Sequence, residues 1–341
     1  MHLTEQAQAI LLLAAHFGKA RRGDPQPLTP SEWGLFADWL RNRSLQPADL
    51  LRKDLRTTLS DWGEARIPIA RIEALLNRGA ALALATERWL RAGLVIITRA
   101  DAAYPARLKK RLGTASPPVL FGCGNMNLLN QGGIAVIGSR NMSEADGHFS
   151  ERLGALAAGQ ALSILSGGAR GVDEAAMLGT LAAAGTAVGV LSHGLLASSA
   201  SAKFRTHLLE GNLALVSITY PEAGFSVGNA MQRNKYIYCL ADAAVVVHAG
   251  TTGGTWSGAV ENLRRGWVPL WVKRTEDATA ANRQLVEKGA RWLDEGEDNI
   301  DLKKLSLPGG RTTADSGSGK AAGGRQKEII FGESAATTVT E

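Results

Sequence analysis

Residues 134–140, IAVIGSR, and 162–173, LSILSGGARGVD, repeat one pattern. In each, a short apolar run gives way to small residues, then to an arginine, then to a stretch with helical spacing. A strand that turns through glycine into a helix is half of a βαβ unit, and the chain continues the series. Runs near 134–138, 162–166, 186–191, 213–218, 243–248 and 268–272 read as strands; stretches near 143–159, 172–184, 203–210, 229–240, 256–265 and 279–289 read as helices. This alternation, with strands apolar on both faces, predicts an α/β fold in which a mostly parallel sheet is covered by helices. Ligands of such sheets bind beyond the carboxyl ends of the strands, where the glycine-rich turns lie.

Those turns carry the candidate site. Gly138, Ser139 and Arg140 precede a helix capped by Ser143. Small residues let backbone N–H groups approach an anion at a helix N-terminus, and arginine offers a bidentate phosphate contact. Ser166, Gly167, Gly168, Arg170 and Gly171 repeat the arrangement, with Asp173 entering the next helix, and Gly253, Gly254 and Thr255 open a third turn. Arg233, Asn234 and Lys235 read as the start of a helix whose apolar side, Ile237, Leu240 and Ala241, packs on the sheet. Two cations in a first helical turn oppose the dipole and point to an anionic partner.

Outward from this core, residues 1–92 read as a small helical domain and 93–131 as a connector. Residues 132–300 hold the alternating units. The first helix covers about 3–17. Thr29, Pro30 and Glu32 form a capping box with proline at the first helical position. A third helix begins near Pro47, and Ile69–Ala92 reads as one amphipathic helix. Trp33, Trp39, Trp62 and Trp89 fall at helical spacing and read as core. Residues 93–131 contain a strand candidate, LVIIT, followed by Tyr-Pro and Pro-Pro pairs that force extended or turn geometry. Residues 301–341 are rich in Gly, Ser and Thr beyond 309 and read as a disordered tail.

The chain has 341 residues and a formal charge of +6. Residues 1–111 hold 18 Lys and Arg against 11 Asp and Glu, or +7, which leaves 20 against 21, or −1, for the remainder. A basic N-terminal third fits a polyanionic partner. The two cysteines lie far apart in apolar surroundings, so neither a disulfide framework nor a cysteine metal site is expected. The six histidines show no metal-ligand spacing, no cofactor is expected, and no segment reads as a membrane span, which fits a reducing cytoplasm.

Four of these stretches, in order, resemble the DNA-processing protein A (DprA/Smf) family: Ala135 to Arg140, Ser166 to Asp173, Arg233 to Lys235 and Gly253 to Thr255. The preceding DAAYPARLKKRLGTASPPVLFGCG is also similar to that family's lead-in. The resemblance implies a Rossmann-like domain that binds single-stranded DNA along the sheet's carboxyl rim without catalysis, often as a homodimer. It makes Arg140, Arg170, Lys203, Arg205, Arg233 and Lys235 the phosphate-contact candidates. The chain departs from the family pattern at Met177, where the family has histidine, at Ser199-Ala200, where a Tyr-Pro pair is usual, at Lys235 and at Gly253-Gly254-Thr255. The tail does not read as the winged helix of many members.

Two roles follow from this resemblance, and a third from the likeness of the glycine-rich turns to those of nucleoside-monophosphate phosphoribohydrolases. One is DNA processing with transfer of the strand to a recombinase. Another is DNA sensing as the antitoxin-like subunit of an anti-phage module with a toxin-like partner. The third is a nucleotide phosphoribohydrolase using the glycine-rich turns. For the last, Glu261 is displaced by almost one helical turn from the position such chemistry needs.

Overall fold

The computed structural model describes residues 3–277, 279–293 and 300–307. Among them the strands β1 (Val95–Thr98), β2 (Val119–Gly124), β3 (Ile134–Ile137), β4 (Ile164–Ser166), β5 (Ala187–Leu191), β6 (Leu213–Ser217), β7 (Ala243–Val246), β8 (Leu270–Lys273) and β9 (Arg291–Leu293) form one sheet. Its spatial order is β1-β2-β6-β5-β4-β3-β7-β8-β9. From β6 to β9 all neighbours are parallel, whereas β1 and β2 add to the β6 edge as an antiparallel pair. The strands β3 to β7 are buried throughout, as continuous apolar runs in a parallel sheet require.

Alternation divides the strand side chains between two layers. Ile134 and Val136 of β3 and Val245 of β7 pack on one face, under the Glu144–Gly159 and Val172–Ala182 helices. Ala135, Ile137 and Val246 pack on the other, under Val227–Leu240 and Gly254–Arg265. The chain runs from β3 outward through β4 and β5 to β6, then crosses back to place β7 on the free side of β3. The strand order therefore reverses at the β3/β7 pair, in register Ile134 to Ala243 through Ile137 to Val246. A crevice opens at such a reversal because consecutive helices leave toward opposite faces.

Several expectations need correction. The connector 93–131 supplies β1, β2 and the Ala106–Leu112 helix, so it belongs to the sheet. The helical segment 1–92 has no separate core. Trp33, Phe36 and Trp89 lie in the same apolar cluster as Val119 and Phe121 of β2, and Trp89 meets Phe121 edge-on with ring centroids 5.1 Å apart.

The amphipathic stretch 69–92 breaks into Ile69–Leu76 and Gly79–Arg91. At the break Arg78 turns inward and its guanidinium donates to Leu12 O and, at 3.1 Å, to Ala15 O. A cation at these carbonyls complements the end of the first helix, Glu5–Ala14. Burial lowers the Arg78 pKa to about 10. The helix expected from Pro47 is a single turn, Asp49–Arg52.

Part of the expected tail is ordered. Leu302–Ser306 is a 3-10 turn with Leu302 and Leu305 buried, and Trp271 Nε1 donates to Leu305 O at 3.1 Å. The rest of that segment, 308–341, lies outside the described residues.

Other readings hold. The Thr29/Glu32 capping box forms, and so does one at Ser143 and Asp146. Trp33, Trp62 and Trp89 are core. No described helix is long and apolar enough to cross a membrane.

Candidate nucleic-acid interface

At the β3/β7 reversal lies a cleft of about 440 Å³, lined by the turns after β3, β4 and β7 and by one side of the Val227–Leu240 helix. One buried carboxylate holds it together. Asp173 accepts from Gly138 N–H at 3.3 Å and from Gly167 N–H at 3.1 Å, so the turns after β3 and β4 hang on its two oxygens. Its Oδ2 also lies 3.7 Å from Arg233 Nη1. The third turn is fastened separately. Thr255 Oγ1 donates to Gly138 O at 3.0 Å, and Asn234 Nδ2 donates to Gly254 O at 2.8 Å.

Glycine is required at two of these places for different reasons. A Cβ on Gly167 would sit 1.3 Å from Arg233 Nη1, inside the space the guanidinium fills. Gly171 adopts φ +98°, and a Cβ there would come within 2.5 Å of Ser139 O. The glycine-rich turn after β4 thus serves close approach of backbone and arginine.

Arg233 is only 4% exposed, on the floor of the cleft, and its Nε and Nη1 make no hydrogen bond among the described residues. Burial lowers its pKa, opposed by Asp173, and the nearby Arg140 charge lowers it further. Burial raises the Asp173 carboxyl, opposed by Arg233 and the two backbone N–H groups. Guanidinium stays protonated in proteins, and both Asp173 oxygens accept from N–H donors as an ionised carboxylate does, so the pair is treated as ionic. Buried donors without acceptors are uncommon, and here they belong to a residue that borders the cleft.

Above that floor stands Arg140, exposed, its guanidinium 4.8 Å from the centroid of the Phe225 ring. Phe225 is 52% exposed, and Val227 and Met231 beside it in the wall are exposed as well. His248 also lines the cleft, with its Nε2 3.1 Å from Asp277 Oδ2. Cations on floor and rim, backbone amides from turns, and an exposed aromatic and aliphatic wall form a surface for a molecule carrying both phosphates and flat apolar groups.

The structure gathers Gly138, Ser139, Arg140, Arg233, Asn234, Gly253, Gly254 and Thr255 around this cleft. The other sequence candidates stand elsewhere or act as support. Ser166 is buried and donates to Val136 O at 2.5 Å. Gly168 adopts φ +62° against Leu191. Arg170, between the left-handed Gly168 and Gly171, is carried out into solvent and does not line the cleft.

Lys203 is held by Glu174, and Arg205 is exposed; neither lines the cleft. Lys235 lies outside it too, with its ammonium 5.1 Å from the Tyr236 ring. Two residues on a helix point roughly 200° apart, so Arg233 and Lys235 serve different faces. Nor do they open that helix, which starts at Val227 with Ser226 as cap and reaches Arg233 after nearly two turns. Helix-end dipole repulsion therefore gives way to a buried cation as the sign of an anion site.

Of the family departures, Met177 is fully buried core, and a Tyr-Pro pair stands one strand later, at Tyr220-Pro221. Phe225 and His248 were not among the sequence candidates. An aromatic inside the polar and small-residue stretch EAGFSVGNAM was the available signal for Phe225. Among the described residues no group of His, Cys, Asp and Glu could hold a metal ion.

A family model described as DNA recombination-mediator protein A matches residues 95–303. A putative DNA processing protein DprA of Mycobacterium tuberculosis is 28% identical over 192 residues, covering 55% of this chain and 49% of the relative. Protein Smf of Escherichia coli is 32% identical over 237 residues, covering 60% of this chain and 61% of the relative. The chain thus spans half to three fifths of the length of these curated relatives. The X-ray structure of DNA processing protein A from Streptococcus pneumoniae shares the fold, with a TM-score of 0.66 at 18% identity over 87% of this chain and 97% of that one.

Proposed function

Because this chain belongs to the DNA recombination-mediator protein A family, we propose that it is a DNA-processing protein that holds single-stranded DNA, without cleaving it, in the cleft at the β3/β7 reversal. The observation that carries this reading is Arg233, a buried guanidinium that lines the cleft and whose Nε and Nη1 make no hydrogen bond among the described residues. A phosphate on that floor accepts from Arg233, while Arg140 neutralises it or its neighbour from the rim. The backbone N–H groups of the 138–140 and 253–255 turns complete the anion cradle.

Phe225, Val227 and Met231 give the bases an apolar wall, and stacking on one ring suits every base. The contacts reach phosphate and base faces rather than base edges, so binding is sequence-tolerant. A duplex keeps its base faces stacked inside, which makes the exposed Phe225 ring a device for unpaired strands.

Catalysis finds little support. Among the described residues Asp173 is the one acid lining the cleft, and its two oxygens are engaged by backbone N–H groups. Hydrolysis of a glycosidic or phosphodiester bond needs an acid or base at the reacting atom, and the cleft's imidazole, His248, has its Nε2 engaged by Asp277.

The test is fluorescence anisotropy of the full chain with labelled oligo-dT and with the matching duplex, across a salt series. Preference for the single strand, log-linear weakening with salt, and at least about tenfold loss in Arg140→Glu are expected. Equal affinity of Arg140→Glu and the unaltered chain refutes the assignment.

A further inference from the structure

Phe225 lines a second concavity as well. On its far side lies a hollow bounded by Phe17, Lys19, Arg88, Tyr220 and Glu222, at the junction of the helical segment and the sheet. Its acid is already committed: Glu222 pairs with Arg88 at 3.0 Å and accepts from Trp89 Nε1 at 2.9 Å. The loop that supplies Lys19 continues with Arg21 and Arg22, all three exposed and without an acidic partner among the described residues. The loop's own Asp24 is turned to the backbone N–H of Arg21 at 2.7 Å.

Elsewhere the cations of this basic third are largely engaged. Arg41, Arg52, Arg56, Arg66, Arg71, Arg91 and Arg107 pair with carboxylates, and Arg78 and Arg111 donate to backbone carbonyls. Lys19, Arg21 and Arg22 thus form one run of exposed positive charge without an acidic partner, and Lys19 lines the second hollow.

We infer that a DNA strand longer than the cleft continues over Phe225 into this hollow and ends its contact on Lys19, Arg21 and Arg22. The helical segment then forms part of the DNA track. The inference rests on the single-strand reading of the cleft. Its warrant is the continuity through Phe225, the aromatic rings of Tyr220 and Phe17 along the way, and three free cations at the end. Alternation of rings and cations along a groove is how proteins hold an unpaired strand without reading its sequence.

The experiment compares the short strand dT6 with the longer dT20 on the unaltered chain, on Arg140→Glu, and on the triple variant Lys19→Ala, Arg21→Ala, Arg22→Ala. All three loop residues are exposed, so the fold is expected to survive, and circular dichroism checks it. The triple variant should bind dT6 within about twofold of the unaltered chain and dT20 about tenfold more weakly, with a salt slope for dT20 shallower by about 2. Unchanged dT20 affinity and slope overturn the track, including the case in which the loop serves a protein partner. Equal losses for dT6 and dT20 overturn it too, because they show a general field rather than an extended path. If the unaltered chain binds neither oligonucleotide, the cleft reading itself has failed and the track falls with it.

Discussion

Replacing Asp173 by asparagine separates what the cleft needs for folding from what it needs for binding. The carboxylate is 5% exposed and faces an arginine that is 4% exposed. The amide oxygen introduced by Asp173→Asn can still accept from one of the two turn N–H groups, while its NH2 meets the other donor, so one turn loses its acceptor and Arg233 is left as an uncompensated buried cation. Breaking a buried pair by removing one partner costs about 3–5 kcal/mol. Contact at 3.7 Å, without a formed hydrogen bond at Nη1, and solvent access from the cleft place the expected loss at the lower end, about 3 kcal/mol. That is a large share of the roughly 5–15 kcal/mol that holds an ordinary domain folded.

Urea denaturation followed by circular dichroism measures the loss as a lowered midpoint at constant slope. Asp173→Asn paired with Arg233→Met removes both charges and should recover most of it. Binding should move the other way. With its counter-charge gone, Arg233 in Asp173→Asn attracts phosphate more strongly, so oligo-dT affinity is retained or raised, whereas the double variant loses it. Saturating oligo-dT should then narrow the stability gap between Asp173→Asn and the unaltered chain. A destabilisation under about 1 kcal/mol, or a double variant no more stable than the single one, would sink the argument that this pair is ionic and mutually dependent.

Other outcomes follow from the same geometry. Phe225→Ala should keep the fold, because the ring is half exposed, and weaken oligo-dT binding by about 1–3 kcal/mol with little change in salt slope; anisotropy across salt reads both. Charge reversal at Arg170 or at Lys235 should leave dT6 affinity within about twofold, since neither lines the cleft; a loss as large as that of Arg140→Glu in the same assay would move the site. The Arg71 hydrogen bond, followed by those from Thr29, holds the Glu32 carboxyl below its ordinary value of 4.5. A depressed folded pKa contributes stability above the ordinary value and loses it as pH falls through the lowered one. Glu32→Gln should therefore be the less stable chain at pH 7, and the two curves should converge in thermal melts as pH falls from the ordinary value through the lowered one.

The sheet and its turns were legible because doubly buried strands are written as continuous apolar runs and their turns as glycine. The strands from β3 to β8 fall within a residue or two of where the runs place them. Of the antiparallel additions, β1 was legible in LVIIT and β2 was not. In PPVLFGCG the strand β2 is bounded by prolines and carries glycines, so its propensity is poor; β6 and the Trp89 side of the helical segment supply what the local sequence does not.

At the site, Arg233 shows where the reading stopped short. Positions 233, 237 and 240 share one helix face, so the spacing that makes Ile237 and Leu240 core makes Arg233 core with them. A charged residue in phase with an apolar stripe was the signal. Missing it turned a buried anion receptor into an expected surface cation, and charge reversal at Arg233 would now test the fold before it tested any contact. The break at Arg78 is the same lesson in the helical segment, where a buried cation satisfying carbonyls of another helix overrides local periodicity.

Asp173, with Thr255 and Asn234, ties three turns and one helix into a single body before any ligand arrives. Loops that wait to be ordered make a strand's arrival slow and conditional, whereas a receptor set in advance lets nearly every correctly oriented collision succeed. Capture should then run at an electrostatically steered rate that falls as salt rises. How long a strand stays, and therefore how readily it can be passed on, is left to the stacking on Phe225 and the contacts to Arg233, which act on departure. Arrival is governed by the rim and release by the floor and wall, so the two rates are open to separate tuning by different residues.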